Sequence, residues 1–441
     1  MYYKLYQFFS IVIFFTVFPL FLLHSAITGK NRSGLGERFG FIKNQVAAGK
    51  RKKYRIWLHA ASVGEVQVAR ALIIELKKIL PEADVVLSTV TEQGKAVAQK
   101  QLDQDVACIF APFDLPFSVS RALNIIKPTV YVCLETELWP TMLVYARRSG
   151  CRLLLVNGRI SEKSYKNYLR FKGLAREILP LFSQISTIQA VDAERFSSLG
   201  AHPEQIVVSG NAKYDLSGAA LEKIAVDDYR KLLNLRPGQT VLVAGSTHTG
   251  EEELLVGVYL RLKKEVPDLI MIAAPRHLER LPEIEAFLVR EKVAFERLSA
   301  IKLQQRSEDV VLVDTMGDLA GLYSQATFVF CGGSLVPRGG HNIMESAAWG
   351  KPVFYGPCMK DFIDAKELLE SKSAGCTVYS ADELYDRLFN LIKDPIAYQH
   401  MVAQSKMVAL AHRGSAARQA QLIKDVLLSC PTSAKAAFRS Q

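Results

Sequence analysis

From residue 55 onward, short apolar runs alternate with stretches whose apolar residues recur at helical spacing. The runs at 55–60, 84–89, 107–111, 129–134, 152–156, 187–191 and 206–209 predict strands, because apolar runs of this length between polar turns suit strands buried on both faces. The stretches between them predict helices, most clearly 66–79, whose apolar positions form one stripe. The rhythm lapses near 215–227 and then resumes. Strands are predicted at 240–245, 268–274, 309–314, 327–331, 352–355 and 375–379, with helices at 251–265, 282–289 and 342–349. Strand–helix alternation predicts parallel sheets covered by helices. Two such series predict an α/β chain of two Rossmann-like domains, 55–216 and 217–430, facing each other across a cleft. The Ala/Ser-rich tail after Pro431 is expected to fray.

The first 55 residues follow another pattern. Residues 5–29 are uncharged and dominated by Phe, Ile, Leu and Val. As a helix rising about 1.5 Å per residue, these 25 residues would extend roughly 37 Å, against a hydrocarbon core of about 30 Å. The run is longer than a signal-peptide core, and Lys4 alone precedes it. It predicts a membrane-anchor helix at 1–29, and Pro19 leaves open a segment lying within one leaflet. Behind it, 30–55 holds nine Lys and Arg residues against Glu37, a local charge of +8. Residues 30–54 therefore read as a basic juxtamembrane segment at an anionic membrane surface, on the cytoplasmic side by the positive-inside rule.

That distribution changes the meaning of the overall charge. The 441-residue chain carries +11, yet with Lys4, the +8 stretch and +5 over 401–441 set apart, residues 56–400 carry −3. A nucleic-acid binder concentrates positive charge on its folded body, so no nucleic-acid partner is expected. The seven cysteines are odd in number and none has metal-ligand spacing, which predicts reduced thiols. No His-Glu-x-x-His is present, and no G-x-G-x-x-G or Walker-type glycine loop follows a strand. Asp103-Gln104-Asp105 resembles a metal-holding D-x-D pattern but precedes a predicted strand, at the wrong edge of the sheet. Neither a metal nor a cofactor is expected.

In open α/β sheets ligands bind beyond the carboxyl ends of strands. After the first strand comes His59-Ala60-Ala61-Ser62-Val63-Gly64-Glu65. Glu65 can be a helix-start carboxylate and no more, or a general base facing the cleft from a tight loop. After the fourth strand, Glu135 and Glu137 stand two residues apart, and an N-cap role explains one of them but not both. Lys213, in Asn211-Ala212-Lys213-Tyr214-Asp215, is a cation for a carboxylate or phosphate, or an ordinary ion-pair member.

The second half carries more. Gly245-Ser246-Thr247-His248-Thr249-Gly250-Glu251 is a hydroxyl-rich turn suited to an anion at a helix amino terminus. Pro275-Arg276-His277 and Asp314-Thr315-Met316-Gly317-Asp318 follow the next strands. Arg338-Gly339-Gly340-His341-Asn342-Ile343-Met344-Glu345 exposes backbone N–H groups before a predicted helix, and Glu345 is placed to accept from a ribose. A glycine turn followed by a capping box is the alternative, but it requires neither Arg338 nor His341.

Taken in order, the segments 62–65, 135–140, 157–161, 245–250, 275–277 and 339–345 resemble the 3-deoxy-D-manno-octulosonic acid (Kdo) transferases of lipopolysaccharide assembly. The resemblance runs nearly the whole chain. It implies a GT-B fold and transfer of Kdo from CMP-Kdo to the tetraacyl lipid A precursor, with inversion and without metal, at the cytoplasmic side of a bacterial inner membrane. It implies Glu65 as base, and Glu135 and Lys213 as transition-state stabilisers. It also implies CMP-binding segments at Pro275 and Arg276, Met316 to Asp318, and Asn342 to Glu345. The donor site expected from both lines comprises Ser246, Thr247, His248, Pro275, Arg276, Met316, Gly317, Asp318, Gly339, Gly340, His341, Asn342, Ile343, Met344 and Glu345. Gly158 and Asp318 depart mildly from the family pattern, which often has Ala and Glu there. Competing readings are a UDP-sugar GT-B transferase with a lipid acceptor, a sugar-nucleotide epimerase, and a non-catalytic lipid-surface adaptor.

Overall fold

The computed structural model describes residues 1–28, 34–42, 52–215 and 226–429. The chain forms two compact units, Met1–Asp215 with Gly414–Gln441, and Leu216–Arg413. In the first, β1 (Tyr54–Ala60), β2 (Ala83–Thr89), β3 (Ala107–Phe110), β4 (Val130–Leu134), β5 (Arg152–Gly158), β6 (Gln184–Thr187) and β7 (Ile206–Val208) build a parallel sheet ordered β3-β2-β1-β4-β5-β6-β7. In the second, β8 (Val241–Thr247), β9 (Ile270–Pro275), β10 (Glu296–Arg297), β11 (Val310–Leu312), β12 (Phe328–Cys331), β13 (Val353–Tyr355) and β14 (Gly375–Thr377) build another, ordered β10-β11-β9-β8-β12-β13-β14. Two Rossmann-like parallel sheets in one chain make the fold α/β and GT-B-like.

Each sheet reverses direction once. β1 lies between β2 and β4, and β8 lies between β9 and β12. At such a switch point the following connections diverge to opposite sides and leave a crevice at the carboxyl ends of the two strands. The central strands are buried throughout apart from the first residue of β1 and Ser246 in β8, which explains their nearly unbroken apolar runs.

Six helices matter to the site: α1 (Tyr2–Thr28), α2 (Val63–Ile79), α3 (Pro140–Arg148), α4 (Glu251–Glu265), α5 (Met344–Ala347) and α6 (Ser415–Leu428). α6 corrects the expected boundary at 430, because it returns to the first unit. Asp215 accepts from the N–H groups of Gly414 and Ala416 at 2.5 and 2.9 Å, capping the helix where the chain comes back. Ala416, Ala420, Ile423 and Leu427 are buried where α6 packs on α2 and β5. The strand expected at 187–191 is also displaced, since β6 starts at Gln184 and a helix runs over Ala190–Leu199. Gln184, polar at the strand start, hid it. The helix expected at 342–349 shrinks to the single turn of α5.

The amino-terminal helix forms as predicted, but no helix among the described residues is long and apolar enough to cross a membrane. The first turns of α1 are polar and bound to the first unit. The N–H groups of Tyr2 and Tyr3 donate to Glu177 at 3.0 and 2.9 Å, and the Tyr6 hydroxyl donates to Asp114 at 2.8 Å. Phe14 and Phe18 pack on Phe39 and Phe113. The other side leaves Leu5, Phe8, Phe9, Val12 and Phe15 exposed.

The basic stretch is also less free than its charge suggests. Arg55 is buried, pairs with Asp84 and donates to the Ile126 carbonyl. Arg38 donates to the Val90 carbonyl and lies over Phe110, and Lys52 donates to the Pro81 carbonyl. Lys30, Arg32, Lys43, Lys50 and Arg51 lie outside the described residues, as does the tail expected to fray.

Ile423→Ala is expected to destabilise the first unit by about 2–5 kcal/mol. Amide exchange of β1 and β4 during urea unfolding reads that unit separately, and unchanged protection would refute the assignment of α6 to it.

Candidate functional site

The first unit gathers carboxylates at its switch point. β1 delivers the turn Ala61–Ser62, and Ser62 caps α2 by accepting from the Glu65 N–H. The Glu65 carboxylate in turn accepts from the Ala61 N–H at 2.8 Å and the Ser62 hydroxyl at 2.9 Å. Glu65 thus has its helix-start role, but a second feature marks it. Burial first, then the charges of Glu135 and Glu137 beyond β4, push its carboxyl up to about 8 against the pull of those two donors. Glu135 sits in the left-handed region at φ 55°, an unfavourable conformation for a residue with a side chain, and donates its N–H to Val156. Glu137 accepts from the Trp139 indole at 2.9 Å.

The penultimate residue of β5, Asn157, is a second left-handed residue, at φ 56°. Its side-chain oxygen accepts from the Ala212 N–H at 2.8 Å, while Asn211 accepts from the Lys213 N–H at 3.0 Å. These two amides hold the turn carrying Lys213, which packs against α2 and α6.

In the second unit, a pocket of about 390 Å³ opens at the ends of β8, β9 and β11. Ser246, Pro275, Arg276, Met316, Gly317, His341, Asn342 and Glu345 all line it, as expected from the sequence. Asn342 donates to Glu345 at 3.2 Å, and burial raises the Glu345 carboxyl despite that bond. Arg276 is exposed at the mouth beside Met316, and Tyr323 and Phe362 add aromatic walls.

The remaining expected donor residues lie elsewhere. Thr247, Ile343 and Met344 are buried in the core. The Asp318 carboxylate accepts from Thr315, Lys302 and Tyr229, and these bonds outweigh burial and hold it below the usual range. Gly339 and Gly340 adopt φ of 91° and 78° where a Cβ would strike Asp361 and Met359, so their glycines serve a close approach. The Gly340 N–H donates to the Gly333 carbonyl at 2.8 Å, so this backbone group, expected to be exposed, is engaged within the protein. His248 stands behind the pocket, with its Nε2 2.9 Å from that of His341.

The turn at 245–250 also differs. The anion in it belongs to the protein. Glu251, fully buried, accepts from the N–H groups of His248 (3.0 Å), Gly333 (2.7 Å), Ser334 (3.0 Å) and Leu335 (3.0 Å). Its carboxylate fills the β8/β12 switch point and ties the two connections together. Burial raises this carboxyl, and the four N–H bonds oppose that shift. Tyr323 and Phe362 had no local signal, since their partners are distant in sequence. Glu251 ended a motif already noted, but its role depended on the connection after β12.

The D-x-D pair is engaged too, Asp103 and Asp105 both binding Lys77 at 2.7 and 2.5 Å. Among the described residues no group of three His, Cys, Asp or Glu side chains could hold a metal ion.

A carboxylate cluster in one sheet's crevice and a pocket with Arg276 in its lining on the other thus stand on a GT-B-like fold. Over 85% of this chain the fold matches all of a UDP-GlcNAc 2-epimerase from Neisseria meningitidis, with a TM-score of 0.54 at 14% identity, which shows the fold alone. Residues 33–216 match the family described as 3-deoxy-D-manno-octulosonic-acid transferase (kdotransferase). The 3-deoxy-D-manno-octulosonic acid transferase of Haemophilus influenzae is 31% identical over 92% of this chain and 94% of its own length. A bifunctional glycosyltransferase/methyltransferase of Fusobacterium nucleatum is 35% identical over 72% of this chain, which spans about half (49%) of that protein. The chain belongs to the 3-deoxy-D-manno-octulosonic acid transferase family and is a Kdo transferase.

Glu251→Gln puts an amide N–H against two backbone N–H groups, at about 1–3 kcal/mol for each donor left unsatisfied. The expected result is faster amide exchange in β8 and β12 with β1 and β4 unaffected. Unchanged exchange in β8 and β12 would show that the carboxylate does not organise the pocket floor.

Proposed function

We propose that the protein transfers Kdo from CMP-Kdo to the tetraacyl lipid A precursor, with inversion and without a metal, in lipopolysaccharide biosynthesis. The observation that carries this reading is Glu65, a carboxylate at the β1/β4 switch point whose proton affinity is raised by burial and by two further glutamates. A base must take the acceptor hydroxyl's proton as its oxygen attacks the anomeric carbon, while the CMP phosphate leaves from the opposite face. Glu65 performs that step. Lys213 offsets the charge of the sugar acid, and Glu135 keeps Glu65 basic. Arg276, at the mouth of the second unit's pocket, supplies fixed positive charge where the phosphate gains charge. The apolar side of α1 rests on an anionic membrane surface, at the cytoplasmic face of the inner membrane, where a lipid acceptor is reached.

The pH dependence follows in sign. With its carboxyl at about 8, Glu65 is mostly protonated at neutral pH, so kcat/KM rises about tenfold per pH unit toward 8 and then levels. Glu135→Gln removes a neighbouring negative charge, and the acid limb moves to lower pH. Glu65→Gln lowers kcat by about 10²–10⁴ and leaves CMP affinity unchanged. EDTA leaves the rate unaltered. Mass spectrometry of the lipid product made with CMP-Kdo is the direct test, and transfer from a UDP-sugar instead would overturn the donor assignment.

A further inference from the structure

The loops after β8 and β12 bring together two imidazoles that the transfer chemistry above leaves unused. His248 and His341 approach through their Nε2 atoms at 2.9 Å, with ring planes 3° apart and centroids 5.2 Å apart. Because the nitrogens are much closer than the centroids, the rings meet edge to edge in a shared plane and form a nitrogen–nitrogen hydrogen bond. Gly333 makes the space. At φ 67°, a Cβ there would meet the His341 ring at 3.1 Å and the His248 ring at 3.3 Å.

Such a bond needs one N–H and one lone pair, so two neutral rings satisfy it. A third proton is also accommodated, as an imidazolium donating to a neutral imidazole. A fourth is not, because two imidazolium rings have no acceptor between them. The groups facing His341 are Arg276, His248, His277 and Asp361, and those facing His248 are His277, Arg338, Arg280 and Arg276. Burial and this cationic surrounding hold both rings below the ordinary histidine value, His341 at about 4. The pair is therefore uncharged at neutral pH, and His341 lines the pocket together with Arg276.

We propose that His248 and His341 act as one unit that takes up a single proton when the donor's phosphate binds beside Arg276, with His248 as the positioning residue behind His341. This rests on the donor reading above. The proton comes from water, is held on an imidazole nitrogen while the phosphate is present, and returns to water on release. No other bond changes. A hydrogen-bonded pair limits the uptake to one proton, whereas separate histidines would not.

The test is calorimetric titration of the full chain with CMP in buffers of different ionisation enthalpy. It is run at about pH 7, where a phosphate of second pKa about 6 is mostly ionised. The wild type is expected to take up as much as about one proton per CMP, and none with cytidine, which lacks the phosphate. CMP affinity should also fall toward alkaline pH, by up to about tenfold per pH unit. In His248→Gln, whose amide still reaches His341, proton uptake should drop by more than half and CMP should bind several-fold more weakly. No uptake by the wild type, or equal uptake by His248→Gln, overturns the proposal, and the cytidine comparison decides it even if the variant fails to fold. Binding of UDP but not CMP would overturn the donor reading instead, and the same proton count taken with UDP would still decide the role of the pair.

Discussion

The second unit is organised around one buried carboxylate. Glu251 stands at the start of α4 and takes four backbone N–H groups, one from the connection after β8 and three from the connection after β12. Burying an ionised carboxylate is unfavourable unless its oxygens are fully hydrogen-bonded. Charge-assisted bonds contribute about 1.5–3 kcal/mol each, so four of them make the arrangement tenable. The loops that carry Ser246, His248 and Gly333 are positioned by it. The pocket opens beside the switch point, at the ends of β8, β9 and β11.

The first unit treats its equivalent crevice in the opposite way. Glu65, Glu135 and Glu137 converge there, and the donors on Glu65, one backbone N–H and one hydroxyl, do not offset burial together with two like charges. The same topology thus yields a satisfied carboxylate on one sheet and a proton-hungry one on the other. The difference lies in the like charges beside Glu65 and in the number of N–H groups that each crevice aims at its carboxylate. Left-handed Glu135, Asn157 and Ser246, each near the carboxyl end of a strand, mark where the backbone bends sharply at these crevices.

Much of this was legible along the chain. The alternation of apolar runs and amphipathic stretches located nearly every strand, because parallel strands buried on both faces leave a strong and local signal. It missed β10, two residues long, and displaced β6, whose polar first residue disguised it. Several of the residues expected at a donor site do line one pocket, at the ends of β8, β9 and β11, because crevices in such sheets open beyond strand ends. Thr247, Ile343 and Met344 are buried instead of lining the pocket, because neighbours in a motif face opposite ways once the backbone is built. The charge pattern misled in a similar manner. Arg38, Lys52 and Arg55 look like free bases by position, but bind carbonyls, a ring and Asp84 within the first unit.

The sequence by itself determined the two-sheet α/β architecture, the family, and the short list of strand-end residues from which a site is made. Hydrophobic periodicity and motif spacing are local properties, and they survive without knowledge of contacts. Only the tertiary structure decided that α6 belongs to the first unit, that Glu251 occupies the anion-binding turn, and that Glu65 holds its proton to about 8. Each depends on groups that meet across tens to hundreds of residues, where burial and neighbouring charge, set by the fold, govern the chemistry.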